Sequence, residues 1–285
     1  MECYRFEKIA GQNPLFAHID ATYVIHLENN GRLESVKKEL LQYYPSKNTC
    51  IVYNKGFRNC DKKLPKYETQ YDLVDANLFI FRDAQKKQYK NILILEDDFF
   101  FHKEVRNHSV HIDEYIENKQ DNDEFMYLLG CLPILSFPRD MQMIHYTVPV
   151  GGGTHAVIYS KLYREQLMTV NQEDIMDWDA FQLSFRRHNR IMYHMPLCYQ
   201  LFPRTENSTN WGNQDRVLKF ICTCLFELLQ FLRLDVQVDP GYPICYAFSK
   251  SILWIVFMSC ILLVYYKNKR IIKHWLQTLL IQASK

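Results

Sequence analysis

Residues 91–98 read Asn91-Ile92-Leu93-Ile94-Leu95-Glu96-Asp97-Asp98, and this stretch decides the fold. Four consecutive apolar residues without polar alternation describe a strand buried on both faces. Such strands belong to parallel sheets covered by helices on either side. The strand stops at three adjacent carboxylates, which repel one another at a buried strand end, and a bound cation relieves that repulsion. A solvated acidic turn is the plain alternative. Hard oxygen ligands at Glu96, Asp97 and Asp98 suit Mn2+ or Mg2+, ions that bridge one or two carboxylates to the phosphates of a nucleotide.

Working outward, Leu73, Ala76, Asn77, Ile80, Phe81 and Ala84 fall on one helical face, so a helix over 72–89 feeds this strand. Residues 21–27 are β-branched and aromatic and end in Glu28-Asn29-Asn30-Gly31, a strand running into a turn. A helix follows over 32–44 and a second short strand over 50–53. Strand and helix alternate over the first hundred residues, which argues for an α/β sheet of mainly parallel strands. Ligands of such sheets lie beyond the carboxyl ends of the strands, so the residues after Leu27 and Leu95 come first as site candidates. Further strands are expected at 125–129, 143–148, 154–159 and 191–194, and helices at 161–169 and 179–188.

The 285 residues suffice for one ordinary domain and an appendage. Lysine and arginine total 34 against 32 acids, a net charge of +2, too small for a protein that tracks nucleic-acid phosphates. Nine cysteines show no zinc-site spacing and do not make a disulfide scaffold. Cys222 and Cys224 read as buried thiols. Charged residues at the start leave no apolar stretch for a cleaved signal peptide.

The C-terminus differs from the rest. Residues 251–266, SILWIVFMSCILLVYY, carry no charge and are flanked by Lys250, Lys267, Lys269 and Arg270. They span only about 24 Å as a helix, and adding 244–248 with snorkelling of Lys250 makes a plausible single-pass membrane anchor. The run 217–234 is apolar but holds Lys219, Glu227 and Arg233, so it reads as an amphipathic or packing helix. Three units are expected: a domain over 15–215, a helix and linker over 216–243, and the anchor with its basic tail over 244–285. Basic residues after the span favour a lumenal domain, whereas the missing signal peptide favours a cytoplasmic one. A secretory-pathway membrane is the expected location. Asn107-His108-Ser109 and Asn207-Ser208-Thr209 are formal glycosylation sequons.

Four segments in order resemble glycosyltransferase family 25, the group of lipopolysaccharide-biosynthesis transferases and collagen galactosyltransferases. YVIHLENNGRLESVKKEL (23–40) looks like the family's opening strand and helix. DANLFIFRDAQKKQYKNILILEDDF (75–99) resembles its long helix, apolar strand and acid triplet. GGGTHAVIYSKLYREQL (151–167) resembles its Gly-Thr strand and Ser-initiated helix. MDWDAFQLSFRRHNRIMYHMPLCYQ (176–200) resembles its next segment, with an Asp opening a helix and a Pro and a Gln after the following strand. Two departures stand out: His26 where the family carries Asn, and Ala76-Asn77 where it carries Ser-His.

The resemblance implies a GT-A fold, a nucleotide-sugar donor such as a UDP-sugar, a glycan or protein hydroxyl acceptor, and inversion at the anomeric carbon. Within that frame Leu27, Glu28 and Asn77 belong to donor binding, and Arg32 is placed to pair with the diphosphate through its guanidinium fork. Gly152, Gly153 and Thr154 shape the sugar pocket, with a surface turn as the alternative. No Lys-Ser/Thr follows them, so they form no Walker loop. Asp179 is the candidate base that deprotonates the acceptor, with Asp177 as understudy, and for either a helix cap is the alternative. Trp178 is placed to stack on a sugar or to pack, and His155 and His194 to ligate the metal or to sit as interior histidines. An inactive, membrane-tethered sugar-binding or assembly protein would carry the same pattern. A metal-dependent nuclease would need the basic groove that the near-neutral charge argues against.

Overall fold

The computed structural model describes residues 2–175, 177–203 and 216–283. Seven strands form one mixed sheet in the order β1-β3-β2-β4-β7-β6-β8. They are β1 (Tyr4–Ile9), β2 (Ala21–Leu27), β3 (Thr49–Asn54), β4 (Asn91–Glu96), β6 (Met126–Pro138), β7 (His145–Ser160) and β8 (Arg190–Tyr193). β3, β2 and β4 are parallel neighbours, β6 and β8 are parallel to each other, and β1 and β7 run against their neighbours. The short β5 (Phe100–Phe101) and β9 (Cys198–Tyr199) pair separately.

Strand β4 shows why the sheet is sandwiched. Ile92 and Ile94 pack into a core shared with α2 (Thr69–Lys86), α4 (Lys161–Met168) and α5 (Trp178–Ser184). Leu93 and Leu95 pack into the opposite core with α1 (Leu33–Tyr43) and α3 (Val105–Glu117). Four buried apolar residues in a row, Ile92 to Leu95, are what two covered faces require. The expected α/β layering is therefore the layering found.

Three local expectations change. The strands expected at 143–148 and 154–159 are one strand, β7, and the glycine run 151–153 lies inside it rather than in a turn. Shifts in the β6–β7 register absorb the irregularity, and Gly153 adopts φ +84°, a conformation that costs a residue without Cβ little. Helix α5 stops at Ser184, and a single 3-10 turn at Arg187–Asn189 replaces its expected end. Strand β1, invisible to pattern reading, adds an antiparallel edge along β3.

A disulfide joins Cys3 to Cys60, tying the start of β1 to the loop after β3. Beneath that loop the Lys62 ammonium donates to Asn54 Oδ1 at 2.7 Å, to the Tyr4 hydroxyl at 2.7 Å and to Asp72. Lys62 and Asp72 are both buried, and a charge buried at this depth persists only when paired and hydrogen-bonded in this way. Cys224 is exposed rather than buried.

The segment expected as a helix and linker packs against the domain. Leu229 of α6 (Arg216–Phe231), Leu234, and Tyr242 and Tyr246 of α7 (Gly241–Ala283) join the larger core. Among the described residues no single helix is long and apolar enough to cross a membrane. Gly241–Ile252 and Trp254–Lys269 meet that requirement only together, across a 41° bend.

Close approach of two strands generates a test. A Cβ on Gly130 of β6 would stand 1.8 Å from the Cys198 carbonyl oxygen of β9, a backbone atom that cannot rotate away. Gly130→Ala should lower stability by about 1–3 kcal/mol or more. In urea unfolding the midpoint should drop with the slope unchanged, and an unaltered midpoint would show that β9 does not lie against β6.

Candidate active site

The carboxyl ends of β2 and β4 lie side by side, and one side chain joins them. Asp97 Oδ2 accepts from His26 Nδ1 at 2.9 Å, from the Leu27 backbone N–H at 3.0 Å and from Asn30 Nδ2 at 2.5 Å. Asp97 Oδ1 accepts from Arg32 at 2.9 Å. Burial alone would raise its pKa, but the His26, Arg32 and Asn30 hydrogen bonds outweigh burial and hold the carboxyl below the usual range. Asp97 thus spends both oxygens inside the protein. Of the three acids expected to hold a metal, Asp97 is the one whose two oxygens are both taken by protein donors.

Asp98 differs from its neighbour. Its Oδ2 accepts from the same Arg32 nitrogen at 3.0 Å and from Gln200 Nε2 at 3.1 Å, whereas Oδ1 is buried with no hydrogen-bond partner. Burial pushes its pKa up, partly offset by Arg32 and Gln200. Glu96 is pushed well above the ordinary value by burial and by the carboxylates of Asp98, Asp179, Asp97 and Asp177. These acids therefore share one field, gathered from β4 and from the start of α5. Arg32 stands at the edge of the group. Burial works against its charge, yet Asp98, Asp97 and Glu96 raise its pKa above the ordinary value.

Asp179 is the second residue of α5, so it occupies no cap position. Its Oδ1 accepts a short hydrogen bond from the Thr154 hydroxyl of β7. Burial and Asp177 raise its pKa to about 6, against hydrogen bonds from Thr154 that lower it. Asp177 stands at the helix entrance, where its carbonyl accepts from the Phe181 N–H at 2.9 Å. The glycine run of β7 leads into Thr154, and a Cβ on Gly152 would meet open space.

Leu27 is exposed at the end of β2, and Glu28 beside it pairs with Arg5 at 3.8 Å. Four other candidates lie elsewhere. Asn77 is buried in α2 and gives its amide to the Leu73 carbonyl at 2.9 Å. Trp178 is a core residue whose indole donates to the Tyr159 hydroxyl at 3.3 Å. His155 is fully buried, which lowers its pKa to about 4, with Nε2 3.3 Å from the Cys198 carbonyl. The His194 ring packs against Tyr193 and His108. Among the described residues no group of three or more His, Cys, Asp or Glu side chains is arranged to hold a metal. The sequon at Asn207 lies outside the described residues.

Site residues absent from the sequence reading are Asn30 and Gln200. Gln200 is fixed by Tyr242 of α7, whose hydroxyl donates to the Gln200 carbonyl at 2.9 Å and accepts from its N–H at 3.1 Å. The closing Gln of the fourth resembling segment was the available signal for it.

No protein-family model matches this chain, and no curated protein matches it. Among solved structures, that of A197 from STIV shares 12% identity at a TM-score of 0.36, over 65% of this chain and 86% of that one. A glycosyltransferase involved in the glycosylation of the major capsid of PBCV-1 shares 10% identity at a TM-score of 0.35, over 62% of this chain and 83% of that one. Both likenesses are loose, and the functional reading rests on the site itself.

The opposed pKa shifts predict a pH profile of stability. Asp179 titrates near 6 in the folded state, above its unfolded value near 4. Between roughly pH 4 and 6 the folded state therefore binds more protons, and stability falls as pH rises through that window. Asp97 is depressed, so its contribution is complete above the usual carboxylate range and is lost as pH falls below it. Asp179→Asn should make the fall between pH 4 and 6 shallower, leaving the share that the raised Glu96 and Asp98 contribute. Asp97→Asn should instead cost about 1.5–3 kcal/mol at pH 7, because Arg32 and His26 lose a charged acceptor. Identical melting profiles for the two variants would contradict the division of roles.

Proposed function

We propose that this chain is a metal-dependent, inverting glycosyltransferase that moves a sugar from a nucleotide-sugar donor, such as a UDP-sugar, to a hydroxyl of a glycan or protein. The observation that carries the reading is the buried, unpartnered Oδ1 of Asp98 beside Glu96, at the carboxyl end of a central parallel strand. An orphaned carboxylate oxygen among neighbouring acids calls for a cation. Two carboxylates suit Mn2+ or Mg2+, because these ions take their remaining ligands from water and substrate phosphates. Glu96 and Asp98 would hold the ion, which when bound supplies positive charge to the departing nucleoside diphosphate.

The protein's own groups do the rest. Arg32, held at the edge by Asp97 and Asp98, meets the diphosphate with a second positive charge. Exposed Leu27 gives the donor an apolar surface at the end of β2. Asp179, with a pKa of about 6, takes the proton of the acceptor hydroxyl as that oxygen attacks the anomeric carbon. The bond to the nucleoside diphosphate breaks on the opposite face and its electron pair leaves with the phosphate. Thr154 fixes the Asp179 carboxyl, and Gly152 leaves room beside it for a sugar.

We place the protein at a secretory-pathway membrane, anchored through α7. Support comes from the uncharged run 251–266, which is exposed from Trp254 at 69% to Tyr266 at 70%. The bent pair of helical segments is long and apolar enough together. The disulfide and the lysines after the run favour a domain on the oxidising side.

A panel of nucleotide sugars, tested with the full chain and Mn2+, checks the chemistry. One donor should be turned over, faster at pH 7 than at pH 5. Asp179→Asn should reduce its transfer about 10²-fold or more with donor affinity unchanged. Undiminished transfer by that variant would take the base role from Asp179, and no turnover of any donor would contradict the proposed activity.

A further inference from the structure

The β6–β7 hairpin and α7 run side by side, and three contacts set their register. Cys131 Sγ lies 3.6 Å from the Tyr246 hydroxyl, and Ser136 Oγ lies 3.0 Å from Ser249 Oγ. The Lys250 ammonium donates to the His194 carbonyl and sits 4.8 Å from the centroid of Tyr146, the residue that pairs with Pro138. As the hairpin advances from 131 to 138, the helix advances from 246 to 250. The hairpin tip and the apolar run that begins at Ser251 therefore point toward the same end of the molecule.

The tip is a fixed turn. The Asp140 carboxylate accepts the backbone N–H groups of Ile144 at 3.0 Å and His145 at 2.8 Å, and the Arg139 N–H donates to the His145 carbonyl at 2.8 Å. This turn holds Met141 98% exposed and Met143 57% exposed, with Arg139 beside them. Two flexible, polarizable thioethers on a braced turn are poor company for water and good company for acyl chains, and one arginine next to them suits a phosphate headgroup.

We propose that the hairpin tip is a second membrane contact, inserting Met141 and Met143 into the bilayer interface beside α7. The inference rests on the reading that α7 enters the membrane. It also gives that anchor a purpose. Tyr242 of α7 fixes Gln200, which binds Asp98, and the nine residues from Tyr242 to Ser251 rise about 14 Å. One contact would leave the domain free to swivel about α7. Two contacts fix both the height and the facing of the acid cluster over the surface, so acceptors carried at that surface are presented in one orientation.

Methionine oxidation separates the two claims in the unaltered full chain. The protein is placed in nanodiscs of phosphatidylcholine and phosphatidylserine, both faces of which are open, and treated with peroxymonosulfate, an anion excluded from hydrocarbon. Sulfoxide formation at each methionine is followed by mass spectrometry against N-acetylmethionine in the same tube. Met258 in the apolar run, Met141 and Met143 should all oxidise at least about fivefold more slowly than that standard, as burial at the interface requires. Protected Met258 with Met141 reacting at the standard's rate would overturn the tip contact and leave the anchor standing. Met258 reacting at the standard's rate would overturn the anchor, and the tip contact with it, whatever Met141 does.

Discussion

The site depends on one carboxylate that takes no part in the proposed chemistry. Asp97 gathers donors from His26, Leu27, Asn30 and Arg32, all within the strand and turn that precede it by about seventy residues. This fixes the end of β2 against the end of β4 and brings Arg32 within reach of Asp98. It also absorbs one of three crowded negative charges. Glu96 and Asp98 remain, with Arg32 and Gln200 offsetting only part of the shift at Asp98, and the charge left on this pair is what a cation would neutralise.

The sheet ends at β2 and β4 were legible because their sequences leave little choice. The apolar run Ile92 to Leu95 has to be covered on both faces, and the 3.6-residue period before it supplies one of the covers. Strand β1 was not legible. It carries Glu7 and Lys8 and only partial burial, and its place is set by pairing with β3 and by Cys3 meeting Cys60, distant events that no local pattern records. The glycine run misled for a related reason. Local propensity favours a turn there, but β6 supplies partners along most of β7, and the bulged register tolerates what an isolated strand would not.

The roles within the acid triplet were beyond the sequence. Three adjacent carboxylates look alike on paper, and their division of labour is decided by which donors fold back onto each. His26, a departure from the asparagine of the family that the sequence resembles, binds Asp97 through its ring. Gln200 mattered more than its place at the close of a segment suggested, because Tyr242 holds its backbone while its amide reaches Asp98. Through that link the start of α7 borders the candidate site as well as forming the root of the proposed anchor, and Leu229, Leu234, Tyr242 and Tyr246 pack into the larger core of the domain.

The proposed division of the triplet makes Asp98, and not Asp97, the residue that completes a metal and diphosphate site with Glu96. Calorimetric titration of UDP into the full-length protein, with and without Mn2+, tests it most directly when wild type is compared with Asp98→Asn. Nucleotide binding should require Mn2+ in wild type and be lost in the variant, while the metal-free variant should be no less stable than wild type because a crowded charge has gone. Nucleotide binding that ignores both the metal and the substitution would contradict it.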